Sequence, residues 1–452
     1  MSTSEHRIED ARERIQMLLE GGDTSAAGAL AVELDLHASD LADLFEHLPE
    51  ELVIQLLSAL PSELASEALA EMEEGEERGD LLAALSPERG AELLGELPDD
   101  DAADLIGDLE PVEQRRILEV LPAQEAGEII ELLRYDEESA GGLMTTELVA
   151  VEASLSAAAA IDQVRTQGRE VDDFYVVFVV DEGGRLQGTL RLDDLITADP
   201  ASSVSEIVEE PVATVRPEVD QEEVARLISR YNLATIPVVS AAGVLLGRIT
   251  FDDVIDAIEA EQTEDILRLA GLGDEDDLRH TWSEAVRARL PWLSLNLVTA
   301  SLAASVILVF EDVIDQVITL AFLAPIIAAM GGSSGTQSLA VTIRRITVEG
   351  SRGSRGWVLG EILVGVVNGA VLGGGIALLA LVVDGDPRLG LVVLFAMWGN
   401  QVVAGFAGAF VPATLDRLGV DPSVASSVFV HTLTDLCGFF LLLGLASQFL
   451  LG

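Results

Sequence analysis

The sequence predicts a multidomain membrane protein: an α-superhelical N domain, a tandem of small α/β domains, and an all-α transmembrane domain of five helices. Three observations carry this. Hydropathy and charge separate along the 452 residues: mean hydropathy is +0.37 and net charge −52, yet only 11 of the 78 acids, with 8 of the 26 bases, lie beyond residue 280. Prolines recur at near-constant intervals through the first acidic stretch. A longer motif between residues 178 and 253 occurs twice.

In the N domain, 1–135, the punctuation is Leu48-Pro49, Leu60-Pro61, Pro87, Leu97-Pro98, Pro111 and Leu121-Pro122, mostly 11 to 13 residues apart. Proline fits the first turn of a helix and ends the one before it, so this spacing predicts stacked short helices. No catalytic pattern accompanies them. Next, Phe178-Val179-Val180-Asp181-Glu182-Gly183-Gly184 recurs 59 residues later as Pro237-Val238-Val239-Ser240-Ala241-Ala242-Gly243, and Asp193-Asp194 recurs as Asp252-Asp253. Each copy reads as helix, apolar strand, Gly turn, second strand, then a helix opened by the acidic pair. The tandem, 136–200 and 201–258, resembles a pair of cystathionine-β-synthase (CBS) domains, modules that sense a nucleotide or an ion.

An acid-rich connecting helix is expected over 259–289, and a transmembrane domain over 290–452. A bilayer needs roughly 20 apolar residues per span, and the candidates are 291–310, 317–341, 357–383, 390–413 and 423–450. Arg287 and Arg289 precede the first span, and Arg344, Arg345, Arg352 and Arg355 follow the second, whereas Glu311, Asp312 and Asp315 lie between the two. The positive-inside rule then puts the N-terminus in the cytoplasm and the C-terminus outside a cell (plasma) membrane. The first fifteen residues are polar, so no cleavable secretory signal is expected.

Lysine is absent, so a basic nucleic-acid-binding face is not available and nucleic acid is excluded as a partner. The single cysteine, Cys437, lies in an apolar stretch, which leaves no disulfide framework and no Cys-based metal cluster. With no nucleophile and base pair in view, an enzyme is not expected.

Charges inside spans are costly and usually functional. Asp435 sits within the last span, on a stripe with Ser423, Ser427, His431, Thr434 and Gly438. It reads as a cation-path carboxylate, or as a buried acid bonded to a neighbouring span. His431 contacts a hydrated ion or bonds across the bundle. In the second span Pro325 and Gly331-Gly332-Ser333-Ser334-Gly335-Thr336-Gln337-Ser338 either loosen the helix and bare carbonyls for a cation or permit close packing. Gly373-Gly374-Gly375 reads as packing, and Glu361, next to Trp357, as snorkelling. The stretch from Asp252 to Asp265 is a solvated acidic linker or a set of divalent-cation ligands. Thr250-Phe251-Asp252-Asp253 fits a ribose-binding Thr-x-x-Asp pattern, and equally a helix capping box.

Taken together, these pieces resemble the MgtE family of magnesium channels. The more specific strings are Ala140-Gly141-Gly142-Leu143-Met144-Thr145-Thr146, Glu259-Ala260-Glu261-Gln262-Thr263-Glu264-Asp265-Ile266, Pro325 with its Gly-rich run, and Thr432-Leu433-Thr434-Asp435. The resemblance implies a homodimer in the lipid bilayer with a Mg²⁺ pore at Asp435, and Asp421 near its cytoplasmic mouth. It implies regulatory Mg²⁺ at Asp99 (or Asp100 or Asp101), Asp220, Glu222, Asp253, Asp256, Glu261 and Glu264, with the connecting helix as a gating plug. ATP at the CBS domains, through Thr250 and Asp253, is a further expectation. Ser333 and Thr336 stand where the family often has Asn, and Ser427 replaces an amide, so a proton-coupled or less selective transporter of Co²⁺, Mn²⁺ or Ni²⁺ is the alternative. A membrane-bound sensor without transport also stays open. The acid excess itself fits a salt-rich cytosol.

Overall fold

The computed structural model describes residues 3–451 except 73–75, 170, 172, 173, 271, 273–281, 350–353, 419, 421 and 423–426. The chain divides into two compact units, Met1–Ile258 and Glu259–Gly452.

The first unit opens with α1 (Thr3–Glu20), α2 (Thr24–Glu33) and α3 (Ala38–Phe45). The proline punctuation then sets the helix starts. Pro49 and Pro61 are the capping residues of α4 (Glu50–Ala59) and α5 (Ser62–Ala70). After α6 (Glu76–Ala84), Pro87 opens α7 (Pro87–Leu94), Pro98 caps α8 (Asp99–Gly107), Pro111 opens α9 (Pro111–Leu118), and Pro122 caps α10 (Ala123–Leu132). Of the leucines just before these prolines, Leu48, Leu60, Leu85, Leu109 and Leu121 are buried and Leu97 is half-buried; each fully buried one stabilises by about 1.5–3 kcal/mol. Arg89 ties successive repeats by donating to the carbonyls of Leu57 (3.0 Å) and Leu60 (2.9 Å) at the end of α4.

The repeated motif folds twice in the same way. The first copy holds β1 (Ala150–Glu152), α11 (Ala157–Gln167), β2 (Val176–Val180), β3 (Leu186–Arg191) and α12 (Leu192–Thr197), and α13 (Val204–Ile207) follows with Val204 packed into the same core. The second holds α14 (Gln221–Tyr231), β4 (Thr235–Val239), β5 (Leu245–Thr250) and α15 (Phe251–Ala270). Sheet order is β1-β2-β3, with β1 parallel and β3 antiparallel to β2, and β4 pairs antiparallel with β5. Gly184 (φ +72) and Gly243 (φ +79) turn the two hairpins in the left-handed region open to glycine. The copies join at those turns: Leu186 N–H donates to Gly243 O and Leu245 N–H to Gly184 O, each at 3.0 Å.

The second unit contains the end of α15 together with α16 (Trp282–Val309), α17 (Glu311–Gln316), α18 (Thr319–Glu349), α19 (Ser354–Asp384), α20 (Pro387–Arg417) and α21 (Ser427–Leu450). Five of these are long and apolar enough to cross a membrane. Over 259–289, where one connecting helix was expected, the described residues form the end of α15 and the beginning of α16.

Small residues bring the spans together. A Cβ on Gly365 would lie 2.4 Å from Gln401 O, one on Gly369 2.9 Å from Trp398 Cα, and one on Gly373 2.9 Å from Leu394 O, so these glycines at every fourth position seat α19 on α20. Gly374 and Gly375 face open space, so only the first glycine of that triplet packs as expected. The apolar stretch of α16 is 6% buried against 56% for that of α20; α16 lies at the edge of the bundle and α20 at its centre.

Candidate ion pathway and carboxylate sites

In the membrane unit the Gly-rich run does not break its helix. It lies inside α18, which is continuous from Thr319 to Glu349. Its glycines are clearances instead: a Cβ on Gly331 would meet Asn400 Nδ2 at 2.2 Å, one on Gly332 would meet His431 Cδ2 at 2.4 Å, and one on Gly335 would meet Val430 Cγ1 at 2.4 Å. Of the two readings, close packing is the one that holds. The polar residues filling the clearances come from α20 and α21, which the run alone could not reveal.

Asn400 and Gln401 are fully buried, and their amides donate to Ile327 O and Met330 O of α18, each at 3.0 Å. Sequence reading missed them; the signal was an Asn-Gln pair midway along the fourth span. Gly438 of α21 also closes on Asn400, at 2.9 Å from a built Cβ to Nδ2. Asn400 is thus clamped between α18 and α21. Thr434, fully buried, donates to Val430 O and His431 O of its own helix. His431 is exposed, and its Nδ1 lies 2.8 Å from Ser427 O, so its described bond is within its own helix and not across the bundle. Asp435 is half-buried one residue beyond Thr434, about 12 Å along α21 from Ser427 at helical rise. Asp421 and Ser423 lie outside the described residues. Glu361 turns inward rather than snorkelling: it is buried, with Arg345 at 3.6 Å, because Gly405 lets α19 approach α20 closely at that level.

These contacts predict a contrast. Gly331→Val forces a methyl into Asn400 and Thr434, an overpacking cost of about 1–3 kcal/mol, so the melting temperature in detergent should fall. Gly374→Ala, with open space around it, should leave the melting temperature unchanged.

In the soluble unit the first turn of α8 carries Asp99, Asp100 and Asp101. Asp99 accepts from Thr145 Oγ1 (2.5 Å), from Thr146 N–H (3.0 and 3.2 Å to its two oxygens) and from Thr146 Oγ1. Asp100 is 8% exposed, with Oδ1 buried and unpartnered. Burial first, then the charge of Asp253, holds the Asp100 carboxyl well above the usual carboxylate range. Burial, with Asp253 adding and Arg78 opposing, pushes Asp101 up to about 7. Asp253 is also raised by burial, although the Thr250 hydroxyl stabilises its charged form. Asp100, Asp101 and Asp253 therefore form one electrostatic cluster, and Asp99 is occupied elsewhere.

Among the other expected ligands, Asp220 caps α14 by accepting from Glu222 N–H at 2.9 Å. Glu264 pairs with Arg268, one turn along α15, so that basic residue already offsets part of the acidic helix. Asp256 and Glu261 both have interaction partners of their own. Among the described residues no three His, Cys, Asp or Glu side chains converge into a metal cage. The Thr250 N–H (3.1 Å) and hydroxyl (2.5 Å) both donate to Asp253 Oδ2, the capping arrangement that begins α15. A cavity of about 730 Å³ lies elsewhere, lined by residues including Tyr175, Arg191, Asp193, Tyr231 and Thr235.

The raised carboxyls predict a pH response. A group whose folded pKa is raised binds its proton more tightly when folded, so its contribution is full below the usual range of about 4 and is lost as pH rises through about 7 for Asp101. Without Mg²⁺, the melting temperature should fall as pH is raised from about 5 to about 8, and Asp100→Asn/Asp101→Asn should flatten the slope.

Comparison with known proteins gives the family. The divalent cation transporter profile MgtE matches residues 324–445, the MgtE intracellular N domain 36–138, and the CBS domain 140–201 and 204–260. A magnesium transporter MgtE of Enterococcus faecalis is 39% identical over 420 residues, 92% of each chain. The chain belongs to the MgtE family of magnesium transporters. A Thermus thermophilus MgtE is 37% identical over 441 residues, 96% of this chain and 97% of that one, and the Bacillus subtilis MgtE is 32% identical over 335 residues, 74% of each. Two solved structures are similar at a TM-score of 0.51: the soluble part of a magnesium transporter (32% identity, 56% of this chain, 99% of that one), and the cytosolic domain of the Mg²⁺ channel MgtE in complex with ATP (38%, 54% and 99%). The MgtE membership establishes a multi-pass magnesium transporter with CBS domains.

Proposed function

We propose that the chain is a Mg²⁺-selective channel for magnesium uptake, closed by cytosolic Mg²⁺. The observation that carries the pore is Asp435, an acid inside an apolar span, half-buried in a single chain beside fully buried Thr434. A second copy completes it: two last spans face each other, and two carboxylates hold one hydrated cation that neither could hold alone. Asp421 serves the cytoplasmic mouth. Cytosolic Mg²⁺ bound by Asp100, Asp101, Asp253, Asp256, Glu261 and Glu264, with Asp220 and Glu222, favours the closed form, because a ligand shifts an equilibrium by its differential affinity for the two states. The N-terminus is cytoplasmic and the C-terminus outside. The test is flux in liposomes with Mg²⁺, Co²⁺, Mn²⁺, Ni²⁺ and Ca²⁺ compared, with and without a proton gradient. Mg²⁺-preferring flux without proton coupling supports the channel; equal flux of the transition metals or proton dependence supports the coupled transporter.

ATP binds at the CBS domains, in the cavity rather than at Thr250 and Asp253. Its size falls within the usual 300–1,000 Å³ of small-ligand sites, Tyr175 offers a ring to a base, and Arg191, which pairs with Asp193 at 2.7 Å, offers a guanidinium to phosphate on exchanging that partner. Arg191→Ala should weaken ATP binding by tenfold or more, and Thr250→Val should not, as read by calorimetry.

A further inference from the structure

We infer that Asp99 is a positioning residue and not a metal ligand: with Thr145 and Thr146 it forms a latch that needs no cation and that presents Asp100 and Asp101 to Asp253. The regulatory half of this inference rests on the reading of these acids as a Mg²⁺ sensor. A carboxylate offers about four lone-pair sites, and three donors already engage both oxygens of Asp99: the Thr145 hydroxyl, the Thr146 hydroxyl, and the Thr146 N–H shared between the two oxygens. Asp99 is 7% exposed and Thr145 3%. A cation reaching Asp99 has to displace these donors in a largely buried site.

The far side of the latch is fixed to the second CBS copy. Thr145 and Arg248 exchange backbone hydrogen bonds of 2.9 Å in both directions, and Arg248 Nε donates to Glu147 O at 2.8 Å. Close approach depends on Gly247, where a Cβ would sit 2.5 Å from Thr145 O. Arg248 belongs to β5, which runs through Thr250 directly into α15 and its Asp252-Asp253 pair. Asp99 is the first residue of α8, so the same contact sets where Asp100 and Asp101 lie. Asp100 keeps Oδ1 buried and unpartnered, and Asp253 is the charged group that perturbs it most. One end of the latch therefore fixes α8 and the other fixes the start of α15, and the opposed acids are held together at the cost of their mutual repulsion.

The latch and ligand roles of Asp99 predict opposite signs. If Asp99 is a ligand, Thr145→Val/Thr146→Val frees its oxygens and tightens the response to Mg²⁺. If Asp99 is a latch, the same change loosens α8 and weakens the response. The experiment uses the full chain and limited trypsin cleavage at Arg134, between the N domain and the CBS pair, in EDTA and across a Mg²⁺ titration. In EDTA, the wild type and Thr146→Ser should be cut slowly, and Asp99→Asn and the double threonine variant faster by tenfold or so. In the titration, the half-protecting Mg²⁺ concentration should rise by a similar factor in Asp99→Asn and in the threonine variant, with no further rise when they are combined. Cleavage in EDTA that is the same for all variants, or a threonine variant whose half-protecting concentration falls or stays at the wild-type value, would overturn the latch. A latch effect in EDTA with no Mg²⁺ protection of any variant would leave the latch standing and sink the sensor reading.

Discussion

Asp435→Ala should abolish Mg²⁺ flux in reconstituted liposomes, and Asp435→Asn should lower it by at least about 100-fold, with the folded yield kept in both. A divalent ion about 6 Å from a carboxylate, separated by one layer of water, gains about 5 kcal/mol at an effective dielectric constant near 20. That attraction offsets part of the cost of taking the ion through an apolar layer, and two copies of the chain double it. Asparagine keeps the shape of the side chain and one acceptor oxygen and removes the charge. The Asn variant therefore separates the two readings of Asp435: wild-type flux in Asp435→Asn would make it a structural acid. The neighbouring bonds should survive either change, since Thr434 and His431 bond to carbonyls of their own helix.

Asp101→Asn/Asp253→Asn should flatten the response of flux to cytosolic Mg²⁺. Two effects oppose each other in this variant. Removing charge relieves the repulsion that disfavours the closed form, and removing ligands takes away the Mg²⁺ that favours it. The raised pKa values decide between them: with Asp101 at about 7 and Asp100 and Asp253 also raised, protons already relieve part of the repulsion near neutral pH. Loss of the ligands is then the larger effect, and the variant should stay conducting at Mg²⁺ concentrations that close the wild type. Unchanged inhibition would place the sensor elsewhere, with Asp256 and Glu261 of α15 the next pair to neutralise.

The repeats were legible because they depend on local rules. In the short helices of the N domain proline suits the position at or just before the first turn, and the hairpin turns need glycine, so Pro49, Pro98, Gly184 and Gly243 declare their structures in one dimension. The membrane site was half legible. Asp435 stands out wherever it is placed, but a glycine is ambiguous between flexibility and clearance until its neighbour is known. For Gly331 and Gly332 those neighbours, Asn400 and His431, lie in other spans. Glu361 misled for the same reason, since its half-buried partner Arg345 belongs to the preceding helix. The Asp99-Asp100-Asp101 triplet failed differently: successive helical residues point about 100° apart, so composition cannot say which acid meets the threonines and which meets Asp253.

Only a few of the 78 acids enter these sites; the remainder fits a surface kept hydrated in concentrated salt. In molar salt the screening length falls to about 3 Å, so a sensor built on diffuse repulsion would fail there and one built on direct coordination would not. The most direct test is Mg²⁺ flux through the reconstituted full chain in molar KCl, with Mg²⁺ titrated on the side of the soluble domains. Dose-dependent closure is expected in the wild type and none in Asp101→Asn/Asp253→Asn. Flux that ignores Mg²⁺ in molar KCl but responds at low salt would contradict it.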